Sequence, residues 1–529
     1  MRAPRLALLA AALLPPGAAL LLPGAARAAA PAADCAPLET RAPNAPDQRP
    51  AFAGQTRACA VTSDVAFQVT VLARGLQHPW AVAPLPGGDL LVTERPGRLR
   101  LVTAAGALGD PIAGVPAGAA RGQGGLLDVI LAPTFAEDRT IYWSYAEPRD
   151  GGNATSVARG VLSADRRRLE KVEVILRTEP VYDGNKHFGS RLAFGPDGML
   201  YVSLGERSDR PMRPQAQQLG SHLGKILRVR PDGTAPPDNP FAGRDGARPE
   251  IWSLGHRNVQ SLAFAPDGRL WSIEHGPRGG DELNLVEPGK NYGWPEVTYG
   301  IEYAGAPVPG AVTAREDVTQ PVHYWDPVIA PAGLAVYTGE AFPAWRGSLF
   351  VGGLGRRALV RLALEDVRVI GEEHLLADRG QRVRDVRQGP DGALYVVTDE
   401  RAGELWRIAP RRARSPAIAQ GTIAPTPAAA RVRIVANATA PTASAIASPA
   451  ASGCRPRLRR RARLVPRPTE AIATVRQAVE SQAAASSIAC SIASVEPLPL
   501  VPAMCTTGGS RRSGCPSAAS SRSSRPSDR

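Results

Sequence analysis

The chain has 529 residues, of which 43% are hydrophobic and 5% aromatic, and its formal net charge is +14. That charge suggests a nucleic-acid or membrane-surface partner until it is divided along the chain. Residues 411–529 hold 18 Arg, no Lys and 4 acidic residues, so the whole excess lies there and the body is neutral, which gives no ground for nucleic-acid binding by the body.

Arg2 and Arg5 precede an apolar run that ends at Ala26-Arg27-Ala28, the pattern of a secretory signal over residues 1–28. Pro15-Pro16-Gly17 interrupts the run, and a membrane span needs roughly 18 to 20 unbroken apolar residues, so a cleaved leader and a periplasmic or secreted location are expected rather than a transmembrane anchor. Cys35 and Cys59 fall in an arm over residues 29–65, where an exported protein is expected to pair them; no C-x-x-C spacing points to zinc.

Residues 66–410 contain six copies of a strand, a Pro or Gly turn and a second strand, beginning at His78, Gly124, Ser190, Gln260, Ala332 and Arg384. Their turn prolines, from Pro86 to Pro390, are 47 to 77 residues apart, a spacing that suits four-stranded blades with variable loops. Asp197-Gly198, Asp267-Gly268 and Asp391-Gly392 offer the positive φ angles of tight hairpins. Without long helical periodicity between copies, crossover helices are disfavoured. The predicted fold is all-β, a six-bladed β-propeller of four-stranded antiparallel blades forming one domain. The tail, residues 411–529, lacks Phe, Trp and Tyr and is expected to be disordered, either as a surface-binding arm or as an extension read beyond the proper end of the gene.

A propeller brings loops from every blade to one mouth, so polar clusters beside the strands are site candidates. His187, in KHFGSR, reads either as a bonded core imidazole or as a base oriented by Glu206. Arg382 and Arg384 alternate and read either as an anion clamp or as ion pairs with Asp385 or Glu400. The turn Gly276-Pro277-Arg278-Gly279-Gly280-Asp281-Glu282 offers exposed carbonyls and carboxylates, which suits calcium or simply a solvated turn.

GQGGLL, HFGSRLAFGPDGMLYVSLGER, GHRNVQSLAFAPDG, EHGPRGGDELN, KNYGWP, GQRVRDVRQGPDGALYVVTDE and GELWRI occur in that order. Over residues 66–410 the chain thereby resembles the soluble aldose sugar dehydrogenases that use pyrroloquinoline quinone, the glucose/sorbosone dehydrogenases. The resemblance implies an aldose substrate oxidised at its anomeric carbon to a lactone, an external electron acceptor, and a monomer or homodimer. It casts His187 as proton acceptor supported by Glu206, and Arg257 with Asn258 at the quinone. Arg382 and Arg384 would hold the cofactor's carboxylates, with Gln123, Tyr303, Gly353, Leu354, Gly355 and Val383 as further contacts. The carbonyls of Gly276 and Pro277 would ligate one Ca2+, and Glu282 with Tyr292 a second.

There are three departures from the family pattern: Glu206 where Asp is common, Gly355 where a Lys is expected unless Arg356 or Arg357 replaces it, and Asp128 with Ala132 in place of small and His residues. Two other function classes fit the architecture. One is a binding propeller without turnover; the other is a calcium-dependent lactone hydrolase with metal-activated water.

Overall fold

The computed structural model describes residues 35–411, so the leader and the tail lie outside the described residues. Within them, twenty-four strands form six four-stranded sheets whose paired strands are all antiparallel. Blades 1 to 5 each use four consecutive strands, over residues 79–111, 126–177, 192–254, 259–325 and 331–375. Blade 6 combines Val383–Gln388, Leu394–Thr398 and Gly403–Pro410 with the first strand of the body, Phe67–Leu76. Pairing Phe67 with Pro410 clasps the two ends of the body into one sheet, which closes the ring without a free seam.

Each sequence copy supplies the two inner strands of a blade, and the innermost strands neighbour one another around the ring. Both faces of a blade are buried against its neighbours. Accordingly there is one apolar cluster at each junction, for example Trp80, Leu99, Leu126 and Trp143 between blades 1 and 2, and Val92, Leu76, Tyr395 and Leu405 between blades 6 and 1. Clusters of the same kind fill the other four junctions. This radial burial is why one hydrophobic repeat yields one domain. In the Asp-Gly turns only the glycines take positive φ, +74° at Gly198, +85° at Gly268 and +72° at Gly392, whereas each aspartate accepts a bond from a backbone N–H two residues on.

The arm carries the disulfide Cys35–Cys59, with Cα atoms 5.6 Å apart, and lies on blades 4 and 5. Asn44 and Ala45 donate backbone bonds to Asp326, and Ala58 joins the core between those blades. Among the described residues no helix is long and apolar enough to cross a membrane.

Candidate active site

Most innermost strands carry an irregularity in register close to the same mouth of the ring. Trp80, Gln260 and Arg384 fall at these shifts, and Leu127 lies within another. A bulge re-aims a side chain that regular alternation would place against the next sheet. All four line a cavity of about 240 Å³. A second ring of side chains comes from the residue that directly follows the second strand: Arg95, His275, Leu354 and Asp399 in blades 1, 4, 5 and 6. Site and repeat therefore share a register.

Asp399 is the centre of the charged wall. Its Oδ2 accepts from Arg384 at 3.0 Å and from Arg382 at 3.5 Å, while Oδ1 faces Arg95 at 3.9 Å and His78 at 3.1 Å. Burial would raise this carboxyl, but the guanidiniums of Arg384 and Arg95 outweigh it and hold Asp399 far below the usual range. Three guanidiniums against one carboxylate leave two positive charges in excess. The Nε atoms of Arg95 and Arg384 are buried without a partner. These groups fit an anion with several carboxylates, since unpaired buried donors are otherwise unfavourable. Neither side chain pairs with Asp385 or Glu400: Arg384 engages Gln260 and Asp399, Arg382 engages Leu354 O and Asp399, and only the Arg382 backbone N–H reaches Glu400, at 3.3 Å.

His187 does not itself line this cavity, although Gln123 and its neighbours Phe188 and Gly189 do; it is buried, in a left-handed conformation with φ 48°, and its Nδ1 lies 2.6 Å from Glu206 Oε2. Gln123 Oε1 accepts the His187 backbone N–H at 2.8 Å. Burial lowers the imidazole below its ordinary value despite the opposing charge of Glu206, and the Arg257 cation adds to the lowering. For Glu206, burial acts upward but His187 and Arg257 prevail, so the carboxyl is held low. The resulting pair is a neutral imidazole and an ionised carboxylate. With Nδ1–H given to Glu206, Nε2 is the basic atom of the ring.

The two ends of the blade 4 hairpin meet here, because Val259 pairs with Glu274. Arg257 Nη1 donates to the carbonyls of His275 at 2.9 Å and Gly276 at 2.7 Å, and Nη2 reaches the hydroxyl of the exposed Tyr303 at 3.4 Å. Asn258 Oδ1 accepts from Gly189 N at 3.1 Å. Asp281 accepts the backbone N–H groups of Gly276, Ile329 and Ala330, which ties the 276–280 turn to blade 5.

A small cavity of about 10 Å³ beside this turn is lined by Glu274, Gly276, Glu282 and Tyr292. Burial and the charge of Glu274 push Glu282 well above its ordinary value, and the neighbouring Asn284 Oδ1 is buried without a partner. Glu274 is already engaged by His256, Asn284 and the Arg257 backbone N–H, so Glu282 and the orphaned Asn284 Oδ1 are the side-chain oxygens left to face a hard cation. The Tyr292 hydroxyl is already bonded to Leu285 O and Glu287 N, so only its backbone carbonyl is available for that purpose. Gly276 O is engaged by Arg257.

Other sequence-predicted positions separate. Val383 is buried in the core between blades 5 and 6, and of Gly353, Leu354 and Gly355 only Leu354 lines the cavity. Neither arginine after Gly355 replaces the expected Lys: Arg356 donates to His374 Nδ1 at 2.9 Å, and Arg357 to Gly380 O at 2.6 Å. Asp128 belongs to a buried network in which Arg191 reaches Asp128 at 2.9 Å and Asp385 at 3.1 Å, while Arg387 reaches them at 3.1 Å and 3.2 Å. Ala132 is packed in the core between blades 2 and 3.

Trp80, Arg95, Gln260, His275 and Asp399 escape the sequence reading although each stands at an end of a repeat copy. Aligning the copies on their strand ends, rather than on their turns, would have singled them out.

The family model for glucose/sorbosone dehydrogenases matches residues 76–407. The Escherichia coli aldose sugar dehydrogenase YliI is 46% identical over 349 residues, covering 65% of this chain and 93% of that protein. A crystal structure of a glucose dehydrogenase, 52% identical, covers 64% of this chain and 99% of its own with a TM-score of 0.63. The PQQ-bound aldose sugar dehydrogenase of Streptomyces coelicolor is 31% identical, covering 66% and 100%, with a TM-score of 0.54. Matched along its propeller in sequence and in fold, the chain belongs to the glucose/sorbosone dehydrogenase family.

Proposed function

We propose that this protein is an exported oxidoreductase that oxidises the anomeric carbon of aldose sugars to lactones, with pyrroloquinoline quinone as hydride acceptor and calcium as its Lewis acid. The observation that carries this reading is the pairing of a neutral imidazole, His187, oriented by Glu206, with a cavity walled by Arg95, Arg382 and Arg384. The PQQ-bound relative supports the choice of cofactor. The disulfide in the arm suits an oxidising compartment.

When bound, pyrroloquinoline quinone would supply a two-electron hydride acceptor and calcium would polarise it. Arg382 and Arg384 would hold its carboxylates. The carbonyls of Gly276 and Pro277 would ligate the metal, with Glu282 and the Tyr292 carbonyl as a second cation site. His187 Nε2 takes the hydroxyl proton, while Glu206 fixes the tautomer and stabilises the imidazolium that forms. Arg257, whose guanidinium rests against the His275 and Gly276 carbonyls, would stabilise negative charge that develops on the acceptor. Three guanidiniums gathered around one carboxylate suit a polyanionic cofactor rather than the activated water of a hydrolase.

Dye reduction with a panel of aldoses, measured with and without added quinone and calcium, tests the reading. Chelation is expected to abolish activity and calcium to restore it. Full activity in stripped protein without quinone would overturn the cofactor assignment.

A further inference from the structure

We propose that Arg95 is a third cationic anchor for the polyanion that occupies this cavity, and that it couples this ligand to the turn holding His187. The inference rests on the cavity being the seat of a multiply carboxylated cofactor.

Arg95 is the first residue after the strand Leu90–Glu94, on the opposite side of Asp399 from the Arg382 and Arg384 pair. Its Nη2 lies 3.9 Å from Asp399 Oδ1, whereas Oδ2 receives the other two guanidiniums. The side chain is 19% exposed and its Nε is buried without a partner. Only Nη1 makes a short bond, to Gly122 O at 2.6 Å. A guanidinium presents five donors in a planar fork, so Arg95 can keep Gly122 and still offer an edge to an incoming carboxylate. Asp399 has two oxygens for three such forks, which leaves Arg95 the least neutralised of the three.

The bond to Gly122 leads toward the base. Gln123 follows directly, and its Oε1 accepts the His187 backbone N–H at 2.8 Å. Backbone bonds fix the local fold without the Arg95 side chain: Arg95 N donates to His78 O and its carbonyl accepts from Leu126 N. Gly125 is packed against that same carbonyl, where an added Cβ would lie 1.9 Å from Arg95 O. These backbone bonds do not involve the side chain, whose two visible engagements are the anion wall and the Gly122–Gln123 turn.

The test compares Arg95→Met, Arg95→Lys and Arg384→Met in the full chain. Calorimetric titration with pyrroloquinoline quinone and with the redox-inert pyridine-2,4,6-tricarboxylate, at several ionic strengths, reads binding independently of turnover. Arg95→Met is expected to weaken both ligands by roughly 10- to 100-fold, the range for losing a charge-assisted bond, and to flatten the salt dependence. Arg95→Lys should restore the salt dependence and part of the affinity, because it keeps the charge but not the fork. At saturating quinone, turnover should recover in Arg384→Met but stay depressed in Arg95→Met, where the hold on Gly122 is also lost. If Arg384→Met binds more weakly while Arg95→Met matches wild type in affinity and salt dependence, the role of Arg95 is overturned alone. Wild-type protein that binds neither ligand would overturn the reading of the cavity, and this inference with it.

Discussion

The two mouths of the ring are lined by the same innermost strands yet differ in chemistry. One holds Trp80, Gln260 and Arg384 from register shifts, with Arg95, His275 and Asp399 from the ends of second strands. The other, a cavity of about 390 Å³, is lined by regular runs such as Val82–Pro84, Leu262–Phe264 and Leu334–Val336, with Arg387 and Gln388. Between them lies the network of Arg191, Asp128, Asp385 and Arg387: Arg191 is 4.4 Å from the Trp80 ring on one side, and Arg387 borders the other cavity. Where the strand keeps its alternation, packing dictates aliphatic residues. Where a bulge or a strand end releases a side chain, the position is open to chemistry.

If that division is right, the largest effect belongs to the layer between the mouths. Asp128→Ala leaves Arg191 and Arg387 with Asp385 as their one shared carboxylate and removes the acceptor of Leu192 N. A loss of about 3–5 kcal/mol is expected in denaturant unfolding, the range for stripping one partner from a buried charge network. A much smaller loss would mean that water already reaches the layer.

His187→Ala is next. Turnover at saturating quinone should fall by roughly 100-fold or more, with cofactor affinity nearly unchanged, because the arginine wall is intact. Normal turnover in that variant would return His187 to the role of a bonded core imidazole.

A pH profile separates the base from its support. Burial depresses His187, so kcat/KM should rise through a pKa below the ordinary value of about 6.5 and be full above it. Glu206 opposes that depression, so Glu206→Gln should move the acidic limb to still lower pH while lowering the plateau. A limb that moves upward would contradict the ionised state assigned to Glu206.

The smallest effect is expected at the other mouth. Val336→Ala should cost about 1 kcal/mol of stability or less and leave kcat, KM and quinone affinity unchanged. A change in any of those three would break the contrast between the mouths.

The sequence by itself determined the number of blades, because six copies of strand, turn and strand are a local pattern whose hydrophobic faces have only neighbouring copies to bury them. It also singled out as candidates His187, Arg257, Arg382 and Arg384, which stand in short polar clusters beside those strands, and Glu206 at a hairpin end. Tertiary structure decided what meets what. The strand Phe67–Leu76 completes blade 6, since closing the ring pairs residues more than 300 positions apart, as Phe67 does with Pro410. Arg95 and Asp399, at the ends of the first and last copies, face each other only because blade 6 returns to blade 1. Asp128 looks anomalous in its own segment until Arg191 and Arg387 arrive from blades 3 and 6. Val383, adjacent to both clamp arginines in sequence, is turned into the core by the register shift that aims Arg384 at the cavity. Periodicity reports which face of a strand is buried; a shift of one residue, and the partner across the ring, are fixed only when the blades pack.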